Sequence, residues 1–140
     1  MTGLFIEDLT IGQYATYGKT VTDADIVLFA GVSGDTNPVH LDQTFAEKTP
    51  FKTRIAHGML SASFISTVIG TKLPGPGAIY MSQTLRFKAP VKIGDTVTAI
   101  CTVTEIIAEK RRAVLSTICK VGDIVVIEGE ALIMVPSRGK

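Results

Sequence analysis

The sequence predicts an α+β fold, an antiparallel β-sheet of about five strands wrapped around one long central α-helix, in a single domain spanning residues 1–140. Three observations predict it. From His57 to Gly70 the chain is apolar on nearly every helical face, with only small serines and threonines among its polar residues, as in a buried helix. After Gly77 the pattern changes to period-two alternation over Ala78 to Phe87, Thr96 to Ile107, Arg112 to Val121 and Ile124 to Val135, as in strands. The links between the last three, around Glu109-Lys110 and Gly122-Asp123, are too short for parallel crossovers, so these strands form an antiparallel meander.

The remaining elements follow in order. Leu4 to Gln13 is a mostly apolar lead-in, and Tyr14 to Val21, rich in aromatic and β-branched residues, is the first strand. Thr22 and Asp25 form a capping box with Asp in the Glu position, and Ile26, Phe29, Ala30 and Val32 fall on helical spacing, giving a helix from Asp23 to Ser33. Gly34 ends it and leaves Asp35 on a loop. Pro38 biases Asn37 away from the right-handed helical region, so the chain makes an elbow between Asp35 and His40. Asp42 caps a short helix to Lys48 before Pro50, and Thr49 to Ala56 connects it to the long helix. Gly70 or the Leu73-Pro74-Gly75-Pro76-Gly77 cluster stops that helix, and Ser137 to Lys140 reads as a loose tail.

Composition removes several classes of function. Lys and Arg number 14 against 13 Asp and Glu, with no long run of one sign, which argues against a dedicated nucleic-acid binder. No apolar run reaches the ~20 residues of a membrane span, and no basic n-region precedes an apolar h-region, so no membrane partner and a cytoplasmic location are expected. Cys101 and Cys119 lie in alternating apolar segments and read as buried free thiols. With two histidines and no local ligand cluster, no metal site is expected. The glycines at 70, 75 and 77 match neither a dinucleotide fingerprint nor a P-loop.

The chemistry concentrates in FAGVSGDTNPVHLD, Phe29 to Asp42. It places a carboxylate, Asp35, and an imidazole, His40, on either side of a rigid turn, an arrangement able to share a water or a substrate proton. Asn37 orients the loop or the water, or is simply a turn residue before proline. His57, at the mouth of the long helix, reads as a structural hydrogen-bonding residue. Arg86 and Lys88 alternate with Phe87 on one strand face and are either solvated charges or phosphate contacts.

FAGVSGDTNPVH with Ala46 after it, the HGML of His57 to Leu60, Phe87-Lys88-Ala89-Pro90-Val91 with Gly94-Asp95, and Gly129-Glu130-Ala131 together resemble the MaoC-like, (R)-specific enoyl-CoA hydratases over nearly the whole chain. The resemblance implies a hot-dog fold and reversible hydration of a trans-2-enoyl-CoA to the (R)-3-hydroxyacyl-CoA, without metal or redox cofactor. It implies Asp35 and His40 as the catalytic pair and the backbone N–H of Gly58 as donor to the thioester oxygen. It further implies Ser66, Ile69 and Ile133 in an acyl pocket for short to medium chains, an acyl-CoA thioester as substrate, and a homodimer or higher homo-oligomer. Three alternatives stay open: a thioesterase of the same fold, a dehydratase acting on acyl-carrier-protein thioesters, and a non-catalytic acyl-CoA-binding module.

Overall fold

A computed structural model describes residues 2–139. β1 (Tyr14–Thr20) leads into α1 (Asp23–Ser33), two single-turn helices α2 (Pro38–Leu41) and α3 (Gln43–Ala46), and the long α4 (Gly58–Thr71). β2 (Ile79–Gln83), β3 (Arg86–Phe87), β4 (Thr96–Ile107), β5 (Arg112–Val121) and β6 (Ile124–Met134) follow. All pair antiparallel in one sheet of order β1-β4-β5-β6-β2, with β3 also on β6. The meander β4-β5-β6 is therefore the centre of the sheet, and β1 and β2 are its edges.

α4 packs on this sheet against β1, β4 and β5. Strand alternation supplies the inner face: Val97, Ala99, Cys101 and Val103 of β4 and Ala113, Leu115, Thr117 and Cys119 of β5 are all buried. The small residues among them let the helix approach closely, so that Cys119 Sγ donates to the Ser61 carbonyl at 3.6 Å and Cys101 Sγ to that of Ile65 at 4.0 Å. Both cysteines are free thiols, and burial pushes each up to about 12. Ile65, Val68, Ile69 and Ile133 fill the space between helix and sheet, each contributing ~1.5–3 kcal/mol by leaving water.

Local signals set the element ends. Thr22 Oγ1 accepts the Asp25 N–H at 3.1 Å while Asp25 Oδ2 accepts the Thr22 N–H at 2.9 Å, a complete capping box. That N–H, with Lys19 at 3.1 Å, holds the Asp25 carboxyl below its usual value. Gly34, at φ 79°, closes α1.

Five expectations change. The strand expected over Ala78 to Phe87 breaks at Thr84–Leu85 into β2 and β3, which makes six strands among the described residues. There the Thr84 backbone crosses directly over Gly129, where a Cβ would lie 1.9 Å from the Thr84 oxygen, and Thr84 Oγ1 accepts the Glu130 N–H in place of a ladder bond. The helix expected from Asp42 to Lys48 is shorter and is preceded by α2, with Asp42 ending one turn and capping the next. α4 is not buried all round, because Ser63, Ser66 and Gly70 form an exposed stripe at helical spacing. Val32 is 88% exposed, since α1 turns only Ile26 and Ala30 fully inward. The expected tail is tied down: Glu7 accepts from Ser137 Oγ at 2.6 Å and from the Arg138 N–H at 3.0 Å, and Arg138 pairs with Asp8 at 2.6 Å. Lys140, the last residue of that tail, lies outside the described residues.

Candidate active site

The loop after α1 brings Asp35 to the rim of a cavity of about 780 Å³, and α2 brings His40 beside it. Asp35 is held at three points. Its N–H donates to Ser33 Oγ at 3.1 Å, its Oδ1 accepts the Asn37 N–H at 3.2 Å, and its carbonyl accepts from His57 Nε2 at 2.9 Å. Asn37 caps α2, its Oδ1 accepting the Val39 N–H at 3.1 Å, with Pro38 in the first helical position. Its side chain thus serves the elbow.

His40 is only 8% exposed. Its Nδ1 lies 2.8 Å from the Ile55 carbonyl, which only accepts, so Nδ1 carries the proton and Nε2 is left with a free lone pair. The ring stacks on His57 at 3.8 Å between centroids and 26° between planes, and Phe29 packs against the other ring. His57 itself carries its proton on Nε2, toward the Asp35 carbonyl, leaving a buried Nδ1 without a partner among the described residues. The structural part expected of His57 is therefore specific: it anchors the backbone of one member of the pair and supports the ring of the other.

One ligand-type atom from each of Asp35, His40 and His57 lies within 4.8 Å of the others. The stacking disfavours joint metal ligation. Imidazole lone pairs lie in their ring planes, and two ring planes inclined by 26° with centroids 3.8 Å apart meet far beyond the ~2.0–2.1 Å of a zinc–nitrogen bond. A water shared by Asp35 and His40 suits the geometry better, since both offer acceptors to its two hydrogens.

Gly58 opens α4 and lines the same cavity. His57, at the N-cap, makes no side-chain cap bond and its carbonyl takes only the Leu60 N–H, so the amides of Gly58 and Met59 and the positive end of the α4 dipole are available to an oxygen acceptor. A side chain there meets the Phe87 ring: a Cβ on Gly58 would lie 2.6 Å from Phe87 Cε1, so the ring would have to turn aside. Lys88 lies on the cavity wall, half-exposed and 3.5 Å from Glu128, whereas Arg86 is exposed on β3 outside the lining. Ser66 faces out from α4, and Ile69 and Ile133 are buried in the core, so none of the three lines this cavity. Phe29, Phe87 and Ser61 do line it without having been singled out from the sequence. Ser61 had a legible signal, one helical turn past Gly58 on the same face; its hydroxyl is buried without a partner among the described residues.

Residues 10–124 match the MaoC like domain family. The chain belongs to that family. The MaoC-like chain is 60% identical over 135 residues to an (R)-specific enoyl-CoA hydratase of Rhodospirillum rubrum, covering 96% of this chain and 94% of that protein. It is 53% identical to a 3-hydroxybutyryl-CoA dehydratase of Methylorubrum extorquens, over 96% of this chain and 86% of the other. The unliganded R-hydratase PhaJ1 from Pseudomonas aeruginosa superposes with a TM-score of 0.92 at 47% identity, over 97% of this chain and 88% of that one. The fold of this MaoC-like chain is the hot-dog fold, a curved antiparallel sheet holding a central helix.

Proposed function

We propose that this MaoC-like protein is an (R)-specific enoyl-CoA hydratase, adding water to a trans-2-enoyl-CoA to give the (R)-3-hydroxyacyl-CoA and catalysing the reverse dehydration. One observation carries the proposal: the Asp35 carboxylate and a lone-pair nitrogen of His40 face one cavity at whose wall α4 begins, uncapped, with Gly58. The names of its relatives, at 60% and 53% identity over nearly the full chain, supply the substrate class and the stereochemistry.

The geometry supports one division of labour. A water donating one hydrogen to Asp35 and the other to His40 Nε2 turns a lone pair toward Cβ of the enoyl group. As oxygen bonds to Cβ, Asp35 takes one proton, and the other hydrogen stays on the new 3-hydroxyl. The electron pair of the alkene moves onto the thioester oxygen as an enolate. The Gly58 N–H, at the positive end of α4, stabilises that charge, a contribution of ~3 kcal/mol for a well-placed donor. Collapse of the enolate then draws the proton back through the Asp35–His40 pair to Cα, so no proton, metal or redox equivalent is consumed.

The same proposal includes a homodimer. β2 is an edge strand whose Ile79, Tyr80 and Met81 are 57%, 39% and 44% exposed, and an apolar edge of this kind favours pairing with its copy. The exposed Ser63, Ser66 and Gly70 stripe of α4 supports it, because a central helix is normally covered on both sides. Ser66 keeps its assignment to the acyl end, on the α4 face that a second copy would cover, whereas Ile69 and Ile133 pack in the core away from the cavity. Lys88 and Arg86 keep theirs to the coenzyme A phosphates, Lys88 from the cavity wall. A cytoplasmic location suits two unpaired thiols. Among the described residues no helix is long and apolar enough to cross a membrane.

Following the enoyl-thioester absorbance of crotonyl-CoA, with chiral analysis of the product, tests the reaction. Formation of (R)-3-hydroxybutyryl-CoA is expected. Release of free coenzyme A from saturated acyl-CoA, with no loss of the enoyl band, would make the protein a thioesterase instead.

A further inference from the structure

His40 sits on a single helical turn, and a single turn does not sustain itself: nucleation is unfavourable, and the last carbonyls of a helix lack intrahelical partners. In α2 the Pro38 carbonyl is met by the Asp42 N–H at 2.8 Å, which leaves those of Val39, His40 and Leu41. Residues 54 and 55 meet the first two. The Ile55 N–H donates to the Val39 carbonyl at 3.2 Å, and Arg54 Nε donates to the His40 carbonyl at 2.6 Å. The Ile55 carbonyl in turn accepts from His40 Nδ1.

Arg54 also reaches the other half of the site. Its terminal guanidinium nitrogen lies 2.7 Å from Asp23 Oδ1 in the first turn of α1, the helix whose far end delivers Asp35. Its own N–H donates to Gln43 Oε1 at 3.1 Å, at the start of α3. One side chain, 16% exposed, thus touches both the element that carries His40 and the element that leads to Asp35.

We propose that Arg54 is a positioning residue for hydration: by bracing α2 against α1 it sets the separation between the Asp35 carboxylate and His40 Nε2. The proposal rests on the hydratase reading. Arg suits the task because its planar guanidinium donates along two edges at once, which the single ammonium of Lys cannot do in the same geometry. The Asp23 partner is 62% exposed, so that ion pair by itself is weak, and the greater weight falls on the charge-assisted bond to the His40 carbonyl.

The test uses Arg54→Met, Arg54→Lys and Asp23→Asn in the full-length protein, with crotonyl-CoA hydration and the imidazole N–H signals of His40 by NMR as separate readouts. A misplacement of about 1 Å costs up to ~10²-fold in rate, so Arg54→Met is expected to lower kcat by ~30–100-fold with KM little changed. Arg54→Lys is expected to stay close to Met, and Asp23→Asn, which spares the His40 bond, to lose less than ~tenfold. In an Asp35→Asn background, Arg54→Met is expected to cost almost nothing further, because the pair it positions is already broken. A residue needed only for folding would lower both backgrounds alike. Wild-type kcat in Arg54→Met with an unshifted His40 signal overturns the proposal, as does full rescue by Lys. If Arg54→Met fails to fold, Asp23→Asn and Arg54→Lys carry the same comparison. Absence of hydration by the wild type would overturn the functional reading alone, and a His40 signal displaced in Arg54→Met would still establish the brace.

Discussion

Replacing Asp35 with Asn separates the chemistry from the fold, because the amide preserves nearly every contact of the carboxylate. The Asn37 N–H, 3.2 Å from Asp35 Oδ1, can donate equally to an amide oxygen. The backbone bonds to Ser33 Oγ and His57 Nε2 are untouched. Among the described residues Asp35 enters no salt bridge. What the substitution removes is a negative charge just past the carbonyl end of α1, whose last turn contains no basic residue. An anion there is disfavoured by ~0.3–1 kcal/mol, so Asp35→Asn is expected to leave Tm unchanged or raise it by up to ~4 °C. Activity moves the other way. The group that receives the water proton is lost, and one positioned acid–base group is worth ~10²–10⁴-fold, or ~2.7–5.5 kcal/mol in the barrier. Hydration of crotonyl-CoA, read by absorbance on the preparation used for the melt, measures both. A kcat within ~tenfold of wild type would refute Asp35 as the base, and a Tm loss beyond ~4 °C would show the carboxylate to be structural.

Gly58→Ala keeps the amide donor but places a methyl 2.6 Å from the Phe87 ring; the ring is half-exposed and can turn aside, so Tm should change little while kcat/KM falls at least ~tenfold, and unchanged kcat/KM would remove Gly58 from thioester binding. Met81→Lys puts a charge on the exposed edge strand and should shift the protein from dimer to monomer in sedimentation; an intact dimer would place the interface elsewhere. Cys101 and Cys119 should resist thiol reagents at pH 8 in the native protein and react once it unfolds. Burial raises both thiols from 9.0 to about 12, with Cys119 adding to the effect at Cys101, so the unfolded chain loses these protons first and stability should fall as pH rises from 9 toward 12. Flat stability across that window, or rapid native labelling, would show that the thiols are accessible.

What the sequence determined by itself is whatever a few neighbouring residues can encode. Thr22 and Asp25 start α1 and Gly34 ends it because a capping box and a left-handed cap act within one turn. The alternation of Thr96 to Val135 specifies three strands, and their short links specify the antiparallel order, because side-chain period and loop length are local quantities. That Asp35 and His40 are neighbours was legible for the same reason: an elbow with an Asn cap and a Pro keeps the two on adjoining turns. Only the tertiary structure decided the rest. The break at Thr84 depends on Gly129, the tail is held by Glu7 and Asp8 at the opposite end of the chain, and His40 stands on a turn capped from residues 54 and 55. Each of these is a hydrogen bond or close approach between segments 14 to 131 positions apart, and no local propensity records which distant backbone group will need a partner until the sheet has closed on α4.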